Sequence, residues 1–498
     1  MSTTSPSPRT ATSPGRSRLL LVACLLGALL VGGLLTLVAG PRSPELGART
    51  AGDAALAADV RASLADDRGY QSLAVARWRD GRPSFAGLGG TDAAVPTAQT
   101  PYELGSVTKT FTGQLLADGV RRGELRLEDP LSTHLPELAG TPAGAVTLRQ
   151  LATHTAGLPA FPESMMTGVL VSTVANENTY DGSTAAMLQA VRSTQVTAPG
   201  TYRYSNLGMS LLGHAEARAA GVADWPTLAT ERLLRPLGMT ATFFALDGAS
   251  VPADAARPYA DNGWPTANWW GPAFAPAGSS TWTTAEDLLT YARAVLDGTA
   301  PGSGAVDPLL PIPGGQIGLA WHLTDADGQQ VTWHNGATGG YRTMLAIDRE
   351  RGQAVVVLGN STRSVDSTGL ALAAAAPGQP VVAVDRLEVA PVTLAWPLVG
   401  LILFASFAYT AFRGRSRLAL VNAVLTGATG LVALLAHGPW AVVPAWVWGS
   451  LTGAGVVLTA VAALRSRTLP AYAERRRVLG WLSLALTVAV LALVVWTM

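Results

Sequence analysis

Five runs of about twenty apolar residues constrain this chain more than any other feature, because few environments besides a lipid bilayer accommodate so many helices of that length and apolarity. The first spans residues 19–39, between Arg18 and Pro41-Arg42, and the others fall at about 392–412, 418–436, 440–464 and 478–496. Arginines gather at one set of ends. Arg9, Arg16 and Arg18 precede the first run; Arg413, Arg415 and Arg417 separate the second and third; Arg465, Arg467, Arg475, Arg476 and Arg477 separate the fourth and fifth. The turn at His437-Gly438-Pro439 carries neither Lys nor Arg. With the N-terminus inside, every arginine-rich loop falls inside and residues 40–390 fall outside.

This pattern predicts a multi-pass cell-membrane protein: a cytoplasmic tail (1–18), a first span (19–39), a tether (40–54), an extracytoplasmic domain (55–376), a linker (377–391) and a four-helix transmembrane region (392–498). The first run also reads as a signal peptide, with basic flanks and small residues near Ala39-Gly40, and in both readings the domain is exported. Only 14% of residues are charged, as membrane segments require, and a formal net charge of +1 gives no footprint for nucleic acid. Cys24 is the one cysteine, so no internal disulfide can form. The C-terminal runs hold no acidic residue or lysine in their apolar cores, which argues against an ion pathway.

Within the exported region, Lys109 is the one lysine of the chain, and arginine fills the other 34 cationic positions. Arginine stays protonated, whereas a lysine amine in a poorly solvated place can lose its proton and act as a base. Val107, Phe111 and Leu115 recur every four residues and predict a helix over about 106–118, closed by Gly119. Ser106 and Lys109 then share a face. A serine is a weak nucleophile until a neighbouring base takes its proton.

The remaining pattern is mixed. A helix is expected near 54–65, then a β-hairpin over 70–79 and 84–88 turning at Asp80-Gly81. Further helices are expected near 183–194, 207–219, 226–234 and 284–296, the last opened by a Thr283-x-x-Glu286 capping box. Strands at 330–334, 341–348 and 353–359 read as an antiparallel meander, followed by a helix at 367–376. The hairpin and meander can join into one antiparallel sheet with helices on its faces and a mostly helical subdomain.

Three short signals follow one another in the domain: Ser106-Val107-Thr108-Lys109, Tyr204-Ser205-Asn206 and His334-Asn335-Gly336. In this order they resemble the motifs of the serine β-lactamase and penicillin-binding-protein superfamily. Tyr-x-Asn and His-x-Gly point to its class C-like branch of D,D-peptidases, D-aminopeptidases and esterases. Leu127-Glu128-Asp129-Pro130, Thr153-His154-Thr155-Ala156-Gly157 and Pro236-Leu237-Gly238-Met239 look like the same branch, and the resemblance covers about 55–375. It implies a β-lactamase/transpeptidase-like α/β fold and an acyl-enzyme mechanism without metal or other cofactor.

The resemblance also assigns roles. Ser106 would be the acylated nucleophile, Lys109 its proton acceptor and Tyr204 a relay or base. Asn206 would hold the substrate amide. His334 replaces a lysine of many relatives and would give cationic help that depends on pH; Gly336 would let substrate lie against the strand. The Ala337 and Ser106 amides would form an oxyanion hole. A phenol between cationic groups can also have its pKa lowered. Against these readings, Tyr204 and Asn206 can be a core tyrosine and a helix cap before Leu207, and Trp264, Trp269 and Trp270 can line a lid or pack in the core.

The expected partner is a small-molecule or peptide substrate carrying an amide or ester. A carboxypeptidase needs a cation for the substrate carboxylate. Between Gly318 and His334 there is no Arg or Lys, and Arg342, beyond the motif, is the candidate that remains. The alternative to an enzyme is a sensor whose outer domain binds a cell-wall fragment.

Overall fold

A computed structural model describes residues 14–90, 95–376, 395–472 and 477–496, with 379 and 381. Most of the expected tail and linker therefore lies outside the described residues. The chain divides into two compact units, Ser43–Glu388 and a second formed by Met1–Arg42 with Val389–Met498.

The larger unit is built on strands in two antiparallel sheets: β1 (Thr50–Gly52), β2 (Ser72–Arg79), β3 (Arg82–Gly89), β4 (Tyr102–Glu103), β5 (Phe243–Phe244), β6 (Thr281–Thr283), β7 (Leu310–Ile312), β8 (Gly315–Ile317), β9 (His322–Ala326), β10 (Gln329–Ala337), β11 (Arg342–Asp348) and β12 (Gln353–Gly359). Nine of them form one sheet in the order β1-β3-β2-β12-β11-β10-β9-β8-β7, and β4-β6-β5 form a small second sheet. The expected hairpin and meander meet where β2 pairs with β12, Leu73 opposite Gly359 through Trp78 opposite Ala354. Asp80 (φ 53°) and Gly81 (φ 73°) supply the two positive-φ residues of a tight hairpin turn.

Both faces of this sheet are covered. Ala74, Ala76, Leu345, Ile347 and Val356 face the larger core with Phe111, Trp282, Tyr291 and Trp321. Leu73, Val75, Met344, Val355 and Val357 face a second core with Leu56, Val60 and Leu372, from the helices Ala54–Ser63 and Asp366–Ala374. Strands buried on both faces read as continuous apolar runs, as Val355-Val356-Val357-Leu358 does.

Two local expectations shift. The capping threonine of helix Ala285–Leu296 is Thr284, which accepts from Asp287 N at 3.2 Å. Thr283 is the last residue of β6, and the Asp287 carboxylate accepts instead from Ala241 N and Thr242 Oγ1, both at 2.8 Å. The lysine helix runs Thr108–Arg121, preceded by one 3-10 turn, Gly105–Val107. Gly119 does not close it. A Cβ there would meet Leu125 Cδ1 at 2.7 Å, so the glycine makes room for that leucine, and the chain turns at Gly123 (φ 73°).

The smaller unit holds helices Pro14–Ala39, Ala395–Arg413, Arg417–His437, Trp446–Ser466 and Arg477–Trp496. Arg417–His437 and Trp446–Ser466 are long and apolar enough to cross a membrane; the other three have shorter apolar stretches among the described residues. Glycines bring backbones together: a Cβ on Gly453 would lie 2.0 Å from the Ala28 carbonyl oxygen, and one on Gly449 2.6 Å from that of Gly32. Small residues at such crossings are how apolar helices gain close packing.

Candidate active site

Ser106 sits in the middle of the 3-10 turn that follows β4, and three glycines let three backbones converge on it. Gly105 takes φ 59°, and a Cβ there would fall 2.9 Å from Ala337 N. A Cβ on Gly278 would fall 2.0 Å from the Gly105 carbonyl oxygen, and one on Gly336 2.2 Å from both Leu104 O and Thr343 Oγ1 and 3.2 Å from Ser106 N. The room at Gly336 is thus filled by the protein's own turn, to which Thr343 Oγ1 donates at Leu104 O (2.7 Å). Strand-to-turn packing by itself requires a glycine here. The same packing brings Ala337 alongside the Ser106 turn.

One helical turn on, Lys109 is fully buried, and its Nζ donates to Ser106 Oγ at 2.7 Å and to the Ala277 carbonyl at 2.8 Å. Burial holds its pKa well below the ordinary lysine range, the direction a base requires. Nζ lies 4.9 Å from the centre of the Tyr204 ring.

Tyr204 ends the segment before helix Asn206–Ala219. Ser205, not Asn206, caps that helix, its Oγ accepting from Gly208 N at 2.9 Å. Asn206 is thereby released from capping: its Nδ2 donates to Tyr180 Oη at 3.3 Å, and its buried Oδ1 has no hydrogen-bond partner among the described residues. Tyr204 is also not a core tyrosine, since 37% of it remains exposed. Its hydroxyl end is nonetheless deep enough that burial pushes the pKa up, with a hydrogen bond to Ser106 opposing. The expected lowering between cations does not occur, because burial disfavours the charged phenolate more than the hydrogen bond to Ser106 favours it.

Two histidines pack against this tyrosine, and a third stands behind one of them. His154, in the left-handed region at φ 56°, packs its ring 4.4 Å from that of Tyr204 and accepts from Ser205 N at Nδ1 (3.3 Å), which fixes the loop as a structural hydrogen-bonder would. His334, on β10, lies 6.2 Å from Tyr204 and 5.1 Å from His322. Its Nδ1 meets the Asn335 carbonyl at 2.6 Å, and burial, with His322 and Lys109 nearby, holds it well below the ordinary histidine range. Pulled down to about 4 by burial, His322 bonds Tyr202 through Nε2 at 3.0 Å. The cationic help expected of His334 is therefore disfavoured near neutrality, because burial and the neighbouring His322 and Lys109 oppose the imidazolium.

Arg342 turns away from this cluster. Side chains alternate along a strand, and its neighbour Thr343, paired with Gly336, takes the face toward the Ser106 turn. Arg342 instead donates to the carbonyls of Thr338 (3.0 Å) and Tyr341 (2.8 Å), in the field of Asp366 and Asp261.

Sequence reasoning missed Glu103, three residues before Ser106. Its buried carboxylate accepts from Asn268 Nδ2 (2.9 Å) and Trp269 N (2.8 Å), and burial lifts its pKa to about 7. Those bonds moor the tryptophan segment, and Trp269 packs 4.9 Å from Tyr180, the partner of Asn206. Trp264, Trp269 and Trp270 are half-buried. No local signal marked Glu103, because its partners lie 165 residues away.

The chain is similar to several known proteins. A β-lactamase of Escherichia coli (strain K12) is 33% identical over 187 residues, 36% of this chain and 45% of that protein. One from Pseudomonas fluorescens is 34% identical over 37% of this chain and 48% of that protein. The chain spans about half the length of the curated relatives it matches. Among solved structures, a β-lactamase/D-alanine carboxypeptidase from Pseudomonas syringae superposes with a TM-score of 0.54 at 22% identity, covering 65% of this chain and 100% of that one. A D-stereospecific amidohydrolase from Streptomyces sp. gives 0.53 at 22% identity, covering 63% and 96%. Both share the fold of the larger unit. The Beta-lactamase family profile matches residues 56–378, which hold the Ser106 turn, the Tyr204 loop and β10 together, and the chain belongs to that family.

Proposed function

We propose that the protein is a membrane-anchored serine hydrolase whose domain faces the extracytoplasmic side and cleaves an amide or ester through an acyl-enzyme. The observation that carries this reading is the 2.7 Å contact between Ser106 Oγ and a fully buried Lys109 whose pKa burial holds well below the ordinary lysine range. A neutral amine accepts the hydroxyl proton as Ser106 attacks the carbonyl carbon. Tyr204 keeps its own proton at neutral pH, so it acts as the relay: it gives that proton to the departing amine or alkoxide and takes another from Lys109. Water then reverses the sequence and releases the acid. The Ser106 and Ala337 amides suit the developing oxyanion, and Asn206, with its free Oδ1, suits a substrate N–H.

The substrate class follows from Arg342. A carboxypeptidase would need a cation in the cleft, and Arg342 is spent on backbone carbonyls on the other face of the sheet. This favours an esterase or an amidase of the aminopeptidase kind over a D,D-carboxypeptidase. Apolar helices on either side of the domain, two of them long enough to cross a membrane, support anchoring, and the close packing of Gly32 against Gly449 supports retention of the first helix.

The test treats membranes carrying the chain with a fluorophosphonate and, separately, a labelled penicillin, comparing wild type with Ser106→Ala. Fluorophosphonate labelling that disappears in the variant is expected. Additional penicillin labelling would extend the substrates to peptidoglycan-like amides. Absence of any Ser106-dependent adduct would refute the enzyme and leave the sensor.

A further inference from the structure

The larger unit carries one helix that buries almost nothing. From Met166 to Thr173, within helix Met166–Val174, no residue is buried, and Met166, Leu170 and Val171 are 49%, 63% and 57% exposed. Met166 and Leu170, four apart, share one face, and Val171 extends the exposed apolar surface round the helix. No charged residue occurs between Glu163 and Glu177. In water such a helix has no reason to present that face.

Directly after the helix, Asn176 Nδ2 donates to Pro265 O (3.1 Å) and its Oδ1 accepts from Ala267 N (3.1 Å), while Asn178 Nδ2 donates to Trp270 O (2.8 Å). The helix is thus moored to residues 265–270. The start of the same segment receives the chain's entry into the domain, where Ser43 Oγ donates to Asp261 O at 2.7 Å. Ser43 comes only four residues after Ala39, the end of the apolar helix Pro14–Ala39. Four residues reach at most about 14 Å. Trp264, half-buried in this segment, offers an amphipathic ring of the kind enriched at membrane interfaces.

We propose that helix Met166–Val174 lies in the interface of the lipid bilayer, with Met166, Leu170 and Val171 among the acyl chains. The inference rests on the membrane-anchored reading above. A protein partner is disfavoured by the lack of any charge that would specify one, whereas a short entry beside the same segment keeps a bilayer within reach. The helix also connects to the cleft, through Asn178 to Trp270 and through the Trp269–Tyr180–Asn206 contacts. The site would then open at the level of the lipid headgroups, which suits amphiphilic substrates whose ester or amide is presented at that depth.

The experiment uses the full chain in phosphatidylcholine–phosphatidylglycerol vesicles with Cys24→Ala, which leaves no cysteine. An environment-sensitive nitrobenzoxadiazole probe is placed at Leu170→Cys or, separately, at Val456→Cys within helix Trp446–Ser466. Quenching is read with spin-labelled acyl chains and with aqueous iodide. The expected result is blue-shifted emission at both positions, quenched by the spin-labelled lipid and sheltered from iodide. A Leu170 probe open to iodide, or sheltered from both quenchers as in a protein–protein contact, would overturn the inference while lipid quenching at Val456 kept the anchored reading intact. Lack of lipid quenching at Val456 would sink the anchored reading itself.

Discussion

Replacing Lys109 by methionine separates catalysis from stability in a way the geometry makes quantitative. Methionine fills a similar volume and has no proton to exchange. The ordinary lysine pKa is 10.5, and burial holds the folded value well below it. Between those two values the unfolded chain binds one proton more than the folded chain, so folding stability rises with pH by about 1.4 kcal/mol per unit. The rise ends above 10.5, where both states are neutral. Relative to Lys109→Met, wild type should therefore gain about 2.7 kcal/mol over two pH units within that window. The variant loses the bonds to Ser106 and Ala277, each worth about 1 kcal/mol, but also loses a buried polar group, so at neutral pH its stability should stay within about 1–2 kcal/mol of wild type. Its fluorophosphonate labelling rate should fall by about 10²–10⁴, the usual yield of a positioned base. Urea denaturation of the detergent-solubilised chain at pH 8 and pH 10, read by tryptophan fluorescence, measures the first effect; gel fluorescence of the labelled serine measures the second. Parallel stability curves for the two proteins, or labelling within about threefold of wild type, would refute the neutral-base argument.

Other consequences follow from neighbouring residues. Glu103 has its pKa lifted from 4.5 to about 7, so over that interval the folded state keeps a proton that the unfolded state has lost, and stability falls as pH rises. Glu103→Gln should remove roughly 3 kcal/mol of that pH dependence, read from urea midpoints at pH 4.5 and 8. Gly336→Ala puts a Cβ 2.2 Å from Leu104 O; it should destabilise by about 1–3 kcal/mol in urea titration and slow Ser106 labelling by displacing the turn. Arg342→Ala removes the side-chain donor of the Thr338 carbonyl, while the Tyr341 carbonyl keeps Thr338 N, and should cost about 1–3 kcal/mol, yet leave hydrolysis of a neutral ester within about twofold of wild type in a chromogenic assay.

Much of the scaffold was legible because it is written in short-range chemistry. Asp80-Gly81 announces a tight hairpin, and the strands around Asp348 and Gln353 carry continuous apolar runs; both are where expected. The edge strand β7 and its neighbour β8 were not legible, since each is three residues long and contains Pro311 or Gly315, which locally argue for a loop. Cross-strand pairing holds them in the sheet, Leu310 opposite Ile317 and Gln316 opposite Leu323. Gly119 shows the converse: a glycine near a helix end reads as a stop, and here it is a packing contact.

For the candidate site, the sequence alone determined the cast and its order: one lysine in the whole chain, a serine one helical turn before it, then Tyr204, Asn206 and the His334-Asn335-Gly336 motif. Only the tertiary structure decided their protonation and direction. Burial beneath the Ala277 carbonyl, 168 residues away, holds the Lys109 pKa well below its ordinary range. Tyr204 is pushed up instead of down, His334 is kept neutral by the groups packed against it, and Arg342 is turned to the far face of the sheet. Periodicity and motif spacing record which residues share a local face. Desolvation and alternation depend on which distant segments cover that face, and the chain specifies those only by folding.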